Sequence, residues 1–287
     1  EVLMNSQNSD VGKIKNITRY PIKSMGGESI EESIVTSGGL LGDRSLALID
    51  ESNSKVASAK MPRKWSGLLD FSASFVSSPA VDMPLPNVQL IFPDGKIADG
   101  NVMDMNDDIS KVIGRTVRLT NVKPKEISLE RLDPLVEEES ILDIGDIMME
   151  GRFSDYAAIH LVTSSTLKHL SQLFPDISFD YERFRANLLV ETDDYGEGFV
   201  ENEWVGKTIR IGDDIHLRIS DPTPRCAIPT LAQYGGVTKD PSVLRAIVEK
   251  NSLPVPLLDN EVLPCVGVYA FVISGGVVRS GDSVRVG

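Results

Sequence analysis

The sequence predicts a mainly β protein of the α+β type, in which short strands close into a barrel or stack as a sandwich. Apolar and polar residues alternate over 11–20, and this two-residue period is typical of a half-buried strand. Short apolar runs then recur along the chain, separated by glycine turns such as 38–42 and 274–276. Helical spacing of apolar residues is confined to short windows, so few helices are expected.

The composition is that of a folded globular chain, and its charge restricts the ligands. The 287 residues are 41% hydrophobic and 25% charged, and this length suits one large domain or two smaller ones. The 29 Lys and Arg against 42 Asp and Glu give a net charge of −13, which repels nucleic acid backbones and anionic membranes. Nucleic acid is therefore not an expected partner, and an anionic ligand needs a local basic pocket.

Membrane and secretory signals are not recognisable in the sequence. No apolar stretch of about 20 residues occurs, so no membrane span is predicted. The first ten residues lack the basic and apolar runs of a secretory signal, and two cysteines are too few for a disulfide scaffold. We therefore expect a cytoplasmic protein, with an upstream targeting segment left open because the sequence does not begin with Met.

Residues 11–122 are predicted to form a first domain built from strands. Asp94-Gly95 between two apolar runs indicates a tight hairpin turn, because these residues accept its left-handed backbone. A short helix is expected over 107–113 and ends at Gly114. The predicted strands cover 11–20, 45–49, 88–92 with its hairpin partner at Ile97, and 116–119.

Residues 123–150 separate this domain from a second one. They are acidic and broken by proline, which is typical of a linker or a long surface loop. A second, mainly β domain is predicted over 151–287. Its predicted strands cover 187–191, 208–211 and 215–220, followed by a closing hairpin of 268–273 and 277–286.

Two helices are predicted in the second domain. Ser164 or Ser165 is expected to cap the first, whose apolar residues recur at helical spacing up to Pro175. Asp240 is expected to cap the second, with Pro241 at its first helical position. Each helix would place one apolar face against the strands.

The segment 221–230 contains the most distinctive chemistry. Its three prolines predict a stiff loop after the strand 215–220, and a stiff loop holds a side chain in place at low entropic cost. In this loop Arg225 precedes Cys226, and a neighbouring guanidinium favours the thiolate that binds soft metals. The alternative is that Cys226 is a small buried hydrophobe, which is the role expected of Cys265.

Basic residues next to turns indicate a second kind of chemistry. Lys23 and Ser24 precede a Gly-Gly pair, and lysine, hydroxyl and free backbone N–H groups together suit an anion. Arg44 follows a glycine turn, and Arg185 precedes Asn187 at the start of a strand. Each residue alone would usually be solvated, but their joint presence in so acidic a chain indicates a local anion site. By contrast, the three histidines lack neighbours at zinc-ligand spacing, so no zinc site is expected.

Seven short motifs together resemble the MOSC superfamily in order and spacing. The resemblance extends from about Val11 to Val286 and is closest to the two-domain branch that includes the mitochondrial amidoxime-reducing component and its bacterial relatives. The motifs are Tyr20-Pro-Ile-Lys-Ser24, Gly42-Asp-Arg44, Leu161-Val-Thr-Ser164, Phe184-Arg-Ala-Asn187, Glu203-Trp-Val-Gly206, Ile211-Gly-Asp213 and Pro224-Arg-Cys226.

The resemblance implies a fold and a cofactor. A β-barrel-like N-terminal domain over 11–122 would pack on a MOSC β-barrel over 151–287, with a molybdenum cofactor between them. Cys226 would be the thiolate ligand of molybdenum and the catalytic residue. The residues implied to hold the pterin and its phosphate are Lys23, Ser24, Arg44, Thr163, Ser164, Arg185, Asn187 and Arg225.

The resemblance also implies an activity. The chain would be a molybdenum-dependent reductase of N-hydroxylamines, amidoximes or N-hydroxylated bases. Its electrons would come from a ferredoxin-, flavin- or cytochrome b5-type protein and its reductase, because no cluster or flavin motif occurs in the sequence. Binding of pyridoxal phosphate is a further expectation for this superfamily.

Two other functions stay open at this point. In the first, the chain is a non-catalytic carrier of the molybdenum cofactor or a sulfur-transfer accessory protein, with Cys226 as a persulfide carrier. In the second, it is a metal-free barrel whose basic residues bind another phosphorylated ligand. Reductase activity with an artificial electron donor would distinguish the enzyme from the carrier.

Overall fold

A computed structural model describes residues 10–100, 102–124, 126–143, 152–154 and 156–287. In these ranges the strands are β1 (Asp10–Arg19), β2 (Glu28–Ile30), β3 (Glu32–Thr36), β4 (Gly39–Leu40), β5 (Ala47–Asp50), β6 (Ser72–Phe75), β7 (Val88–Ile91), β8 (Ile97–Gly100), β9 (Val117–Thr120), β10 (Ser128–Leu132), β11 (Glu139–Asp143), β12 (Ile159–Thr163), β13 (Leu188–Glu191), β14 (Thr208–Ile211), β15 (Ile215–Pro224), β16 (Ser252–Val255), β17 (Glu261–Ser274), β18 (Gly276–Arg279) and β19 (Ser283–Val286). The α-helices are α1 (Pro62–Trp65), α2 (Asn106–Ile113), α3 (Ser164–Leu173), α4 (Tyr181–Phe184) and α5 (Ser242–Lys250). Short 3₁₀ helices cover Ser66–Asp70, Val102–Met105, Val200–Trp204, Ile228–Thr230 and Pro256–Leu258.

A closed barrel of seven strands is the centre of the fold, which confirms the mainly β prediction. The strands follow the order β12-β13-β1-β19-β14-β15-β17, and pairing of β12 with β17 closes the ring. Alternate side chains of these strands point inward and form one apolar core, which includes Ile17, Leu161 and Ile209. In the part of the chain that the structure describes, no helix combines the length and the apolar character needed to cross a membrane.

The first half of the chain contributes a second core. Two small sheets contribute to it, β5 with β9 and β6 with β7 and β8. The sheet of β3, β4 and β18 packs instead on the barrel core, through Val35, Leu40 and Val278. Trp65, Phe71 and Leu119 pack in this core together with other buried apolar side chains. The hairpin predicted at Asp94-Gly95 is present as β7 and β8, and α2 ends at Gly114, whose φ is +73°.

Strands from both ends of the chain pair with strands that are distant in the sequence. β1 lies in the barrel between β13 and β19, although it precedes every strand of the first core. β18 pairs with β3 instead of folding back on β17, so the predicted closing hairpin is wrong. The domain bounds 11–122 and 151–287 stay a prediction, and β1 pairs with two strands of the second range.

The segment predicted as a linker, 123–150, contains regular structure. β10 and β11 form an antiparallel hairpin within it, in which Leu129 is buried. Residues 144–151 lie outside the described residues. Acidic composition and proline indicated a loop, but they did not reveal that alternate apolar residues here cover a neighbouring core.

The proline-rich segment 221–230 begins as a strand and not as a loop. β15 runs through Pro222 to Pro224 and pairs with β17, with irregular register on both sides of Pro222. β14, the other neighbour of β15, pairs only as far as Arg218. The prolines are tolerated because this end of the strand has one hydrogen-bonded neighbour. The stiff loop begins at Arg225.

The helix starts also differ from the prediction by one residue. The cap of α3 is Thr163, whose Oγ1 accepts a hydrogen bond from the Thr166 N–H at 3.3 Å. α5 begins at Ser242, where the Asp240 carboxylate accepts from the Ser242 N–H at 2.9 Å. A polar side chain therefore caps α3, whereas in α5 the N-cap position is Pro241 and Asp240, one residue earlier, bonds the first helical N–H.

Candidate functional site

A cavity of about 350 Å³ opens where the end of β15 meets the loops of the first half of the chain. Residues from distant stretches of the sequence line it, which makes it a product of the tertiary fold. Seven of the nine predicted cofactor-binding residues are in its wall: Lys23, Ser24, Arg44, Arg185, Asn187, Arg225 and Cys226.

The wall of this cavity is basic although the chain is acidic. Its lining includes six Lys and Arg side chains, and Asp133 is the single carboxylate among the lining residues. Lys60 and Arg131 are the two cations of this wall that the sequence did not predict. A chain with a net charge of −13 thus concentrates positive charge in one concave site, which suits an anionic ligand.

Three of the predicted residues have a left-handed backbone at this cavity. Ser24, Arg44 and Arg185 have φ angles of +66°, +48° and +53°. This region is unfavourable for residues with a Cβ atom, and such residues cluster at functional sites where the surrounding structure holds them. All three residues line the cavity, so these unfavourable backbone conformations are concentrated at one site.

Tyr20 is the spacer between two of the cavity arginines. Its buried ring lies 4.7 Å from the guanidinium carbon of Arg44 and 4.5 Å from that of Arg185. Arg185 also donates to the Met25 carbonyl at 2.6 Å, and Arg44 donates to the Arg185 carbonyl at 3.1 Å. Burial lowers the pKa of Arg185 to about 10, so this guanidinium stays charged at neutral pH.

Asp43 and Arg152 form a buried ion pair behind Arg44. The Asp43 carboxylate accepts hydrogen bonds from Arg44, from Arg152 and from the Tyr20 N–H. Burial alone would raise the pKa of Asp43, but the two guanidiniums and the N–H group outweigh it and hold this pKa below its usual value. Neither Asp43 nor Arg152 was predicted from the sequence. In the motif Gly42-Asp-Arg44 only Arg44 was assigned a role, and Arg152 follows the predicted linker.

The backbone of Phe153 forms hydrogen bonds with two cationic residues of the cavity, Lys23 and Arg44. The Phe153 carbonyl accepts from Lys23 Nζ at 2.9 Å, and the Phe153 N–H donates to the Arg44 carbonyl at 2.7 Å. Ser154 lines the cavity, and its buried Oγ has no hydrogen-bond partner among the described residues. A ligand in the cavity could supply that partner.

Arg225 lies between Phe184 and His160. It donates to the Phe184 carbonyl at 3.0 Å, and a second nitrogen is 3.5 Å from His160 Nε2. Its buried Nε lacks a partner in the part of the chain that the structure covers. Burial, and then the charge of Arg225, hold the pKa of His160 well below its usual value, so this imidazole is neutral.

Asn187 has a structural position in the wall. Its backbone N–H donates to the His160 carbonyl at 2.8 Å, and its side-chain oxygen accepts from the His160 N–H at 3.2 Å. These bonds join β13 to β12 at the cavity. His160 was expected to be structural or solvated because its sequence neighbours carry no signal, yet it lines the cavity.

The two cysteines differ in environment. Cys226 is partly exposed and lines the cavity, two residues after β15 ends. Cys265 is fully buried, and its Sγ contacts the Leu263 carbonyl at 3.2 Å. Burial raises the pKa of Cys265 to about 12, so this thiol stays protonated. Cys226 is thus the thiol available to a ligand of the cavity.

Thr163 and Ser164 do not belong to the lining of this cavity. The Thr163 hydroxyl donates to Glu201 Oε2 at 2.6 Å, and the Ser164 hydroxyl donates to Asp193 Oδ1 at 2.8 Å. The structure therefore does not bring these two residues into one wall with the other seven, and their contribution to a cofactor site stays a prediction. The start of α3 has two carboxylates as neighbours, which already accept from these hydroxyls.

Two domain models match the chain. Residues 11–65 match the MOSC N-terminal beta barrel domain, and residues 149–285 match the MOSC domain. No curated protein matches the chain with significance.

Solved structures show weak similarity. The YUAD protein from Bacillus subtilis has 11% identity and a TM-score of 0.44, covering 96% of this chain and 94% of its own. YiiM from Geobacillus stearothermophilus has 14% identity and a TM-score of 0.34, covering 56% of this chain and 72% of its own. YiiM from Escherichia coli has 15% identity and a TM-score of 0.32, covering 57% and 70%. Each of these TM-scores is below 0.5, so the assignment to a family rests on the two domain models and not on these structures.

Proposed function

Because the chain belongs to the MOSC family and has both its N-terminal β-barrel domain and its MOSC domain, we propose that it is a molybdenum-dependent reductase of N-oxygenated compounds. The observation that most supports this proposal is that the predicted residues come together in one place. Four predicted cations from distant stretches of the sequence line one cavity together with Cys226. The alternative, in which these side chains face separate patches of solvent, would have removed the basis of the proposal.

The residues present fit a phosphate-bearing molybdenum cofactor. The basic wall suits its anionic tail, and the unpartnered Arg225 Nε and Ser154 Oγ suit an acceptor-rich ligand. Cys226 offers the soft sulfur donor that molybdenum takes. Among the described residues no group of three or more His, Cys, Asp or Glu could hold a metal, so the other donors would come from the cofactor itself.

The chain's own residues have distinct tasks in this proposal. Lys23, Arg44 and Arg185 bind the phosphate end, and Cys226 supplies the sulfur ligand. When bound, the cofactor supplies the two-electron chemistry that removes oxygen from an N–O bond. Arg225 is held by the Phe184 carbonyl and orients the loop that carries Cys226. The neutral ring of His160 stays an uncharged neighbour of Arg225 and adds no charge to the basic wall.

The substrates and the electron donor follow the family resemblance. We propose N-hydroxylamines, amidoximes or N-hydroxylated bases as substrates. Electrons would come from a ferredoxin-, flavin- or cytochrome b5-type protein with its reductase. The acidic chain would favour a donor with a basic docking face. Binding of pyridoxal phosphate and a cytoplasmic location stay predictions.

Protein made in a host that synthesises the molybdenum cofactor tests the proposal. Metal analysis is expected to find molybdenum and pterin, and reduced viologen is expected to drive benzamidoxime reduction. Cys226→Ser is expected to abolish this activity while the circular dichroism spectrum stays unchanged. Cys265→Ala is the matched control, because it removes the other thiol without touching the cavity.

Three results would contradict parts of this proposal. A preparation without molybdenum or pterin from a competent host would overturn the cofactor assignment. Full activity of Cys226→Ser would overturn the ligand assignment alone. A stable persulfide on Cys226 without turnover would instead support the carrier or sulfur-transfer function.

A further inference from the structure

One wall of the cavity is apolar and aromatic, opposite in character to the basic wall. Tyr156, Tyr269, Ala157, Leu257, Leu258 and Leu263 line it. These residues come from the stretch after 152–154, from the end of β16 and from β17. None of them carries a charge, and the proposed cofactor contacts do not use them. Pockets that combine a polar anchor with such a wall typically bind the apolar body of a small molecule there.

The buried carboxylate of Asp221 joins both sides of this apolar wall. Its Oδ2 accepts from the Tyr156 hydroxyl at 3.1 Å, and its Oδ1 accepts from the Leu257 N–H at 2.9 Å. Asp221 is 4% exposed, so water does not compete strongly for these bonds. One side chain therefore fixes an aromatic ring and a leucine-bearing turn with respect to each other.

Asp221 is also close to Cys226 in the sequence and therefore links the apolar wall to the thiol. It lies in β15, five residues before Cys226, and its register partner across the sheet is Tyr269. The same strand end thus positions the thiol, the aromatic wall and the Leu257 turn. A group bound against Tyr156 would lie in the same cavity as the Cys226 sulfur.

The ring of Tyr156 is held by aromatic neighbours. It meets Tyr269 and Phe271 edge-on, with ring centroids 5.3 Å and 5.4 Å apart. Burial, and then the neighbouring Asp221, raise the pKa of Tyr156 to about 12. The phenol therefore stays protonated at neutral pH and donates to Asp221 throughout the physiological range. Packing and hydrogen bonding together leave this ring in one orientation.

We infer that this apolar wall is the substrate subsite and that it selects N-oxygenated compounds with an uncharged aromatic or branched apolar body. Tyr156 is the specificity-determining residue, and Asp221 is a positioning residue that acts through Tyr156 and Leu257. The inference rests on the proposed function, because it assigns the N–O group to the Cys226 side of the cavity. An uncharged body is expected here, since the six side chains that form this wall carry no charge.

A pair of substrates with the same head group tests the subsite. Benzamidoxime and acetamidoxime differ only in phenyl against methyl, so their ratio of kcat/KM reports contact with the wall. We expect the protein to favour benzamidoxime by about tenfold or more, because burial of a ring adds apolar area. Tyr156→Ala is expected to reduce this preference to about twofold or less, mainly through the KM for benzamidoxime, whereas Tyr156→Phe keeps most of it.

Asp221 is tested by a conservative and a disruptive change. Asp221→Asn can still accept from the Leu257 N–H and bond to the Tyr156 hydroxyl, so the preference is expected to stay within about threefold of the original. Asp221→Ala is expected to lose the preference while acetamidoxime is still reduced. Loss of both activities by the alanine variant but not by the asparagine variant would mark Asp221 as merely structural and overturn its positioning role.

Ligand-observed NMR separates failure of the subsite from failure of the proposed function. Saturation transfer from the protein to the phenyl protons of benzamidoxime is expected with the unaltered protein and is expected to fall at least threefold in Tyr156→Ala. Transfer without reduction of either amidoxime would support the subsite and overturn the reductase. Reduction of both amidoximes with a ratio that Tyr156→Ala leaves unchanged would overturn the subsite and leave the reductase standing.

Discussion

The basic wall of the cavity and the start of α3 were both predicted to hold the same anionic cofactor, yet the fold treats them differently. In the basic wall, Arg44 and Arg185 converge on one space. At the start of α3, the hydroxyls of Thr163 and Ser164 are engaged by Glu201 and Asp193. Both regions carry residue types that suit anions, but only the residues of the first line the cavity.

The difference lies in where each region's carboxylates stand. Asp43 lies behind Arg44 and is shared with Arg152, so it steadies the cation without filling the cavity. Glu201 lies at the helix start itself, fully buried, and accepts from Thr163 and Thr166. Burial raises the pKa of Glu201, and the hydrogen bonds from these two threonines oppose this rise. A helix N-terminus attracts an external anion only where the protein has not already placed a carboxylate there.

The largest effect is expected from Asp43→Asn in the basic wall. The change leaves the buried guanidinium of Arg152 and the partly buried one of Arg44 without a counter-charge, so the free energy of unfolding should fall by about 3–5 kcal/mol. Urea unfolding at pH 7 measures this. Asp50→Asn is the matched control, because the Asp50 carboxylate is equally buried but accepts from Ser52 and not from an arginine.

The stability difference between the unaltered protein and Asp43→Asn is expected to depend on pH. The folded pKa of Asp43 is lower than its unfolded value, so its contribution to stability is complete above the unfolded pKa of about 3.9 and is lost as the pH falls through the folded pKa. The difference between the unaltered protein and Asp43→Asn should therefore narrow below about pH 4. A difference that stays constant down to pH 2, or one below about 1 kcal/mol at pH 7, would refute the role of this ion pair.

A smaller effect, on binding, is expected from Arg185→Met. The change removes one charge and one donor from the cavity, so bound pterin per folded protein should fall by roughly ten- to a hundredfold. Fluorescence of the oxidised pterin measures it. Arg183→Met is the matched control, since Arg183 is equally buried but donates to backbone carbonyls outside the cavity, including that of Thr238. Equal pterin loss in both variants would show that stability and not cavity charge is responsible.

The smallest effect is expected from Ser164→Ala at the start of α3. The variant loses the bond to Asp193 and the bond from the Thr192 N–H, which should cost about 1 kcal/mol or less of unfolding free energy. Bound pterin should not change, because Ser164 is outside the cavity lining. Urea unfolding and pterin fluorescence check both statements. A loss of pterin comparable to that of Arg185→Met would restore Ser164 to the site and remove the contrast between the two regions.

Local patterns predicted many of the strands and helices and one of the two predicted hairpins. The alternation over 11–20 is β1, and Asp94-Gly95 is the turn between β7 and β8. The pairing of β18 with β3 could not be predicted, because the Gly275-Gly276 turn allows either a hairpin or a change of sheet. The long-range contacts of Val277 and Val278 decide between them, and these contacts leave no trace in local spacing.

The candidate site shows the same division. Motif residues such as Lys23 and Arg225 could be singled out by their type and their neighbours in the sequence. Arg152 and His160 could not, since their importance comes from Asp43 and Arg225, which are distant in the sequence. Tyr156 was likewise missed, because a lone tyrosine after a supposed linker carries no signal until Asp221 is found beside it.

By itself the sequence determined the mainly β class, the family and the types of side chain available for chemistry. These properties depend on composition, periodicity and short motifs, which are local. The tertiary structure alone decided which of those side chains share a cavity, because that depends on long-range pairings such as those of β1 with β13 and of β18 with β3. It also decided which donors stay available to a ligand, since a carboxylate brought in by folding can satisfy a hydroxyl before any ligand arrives.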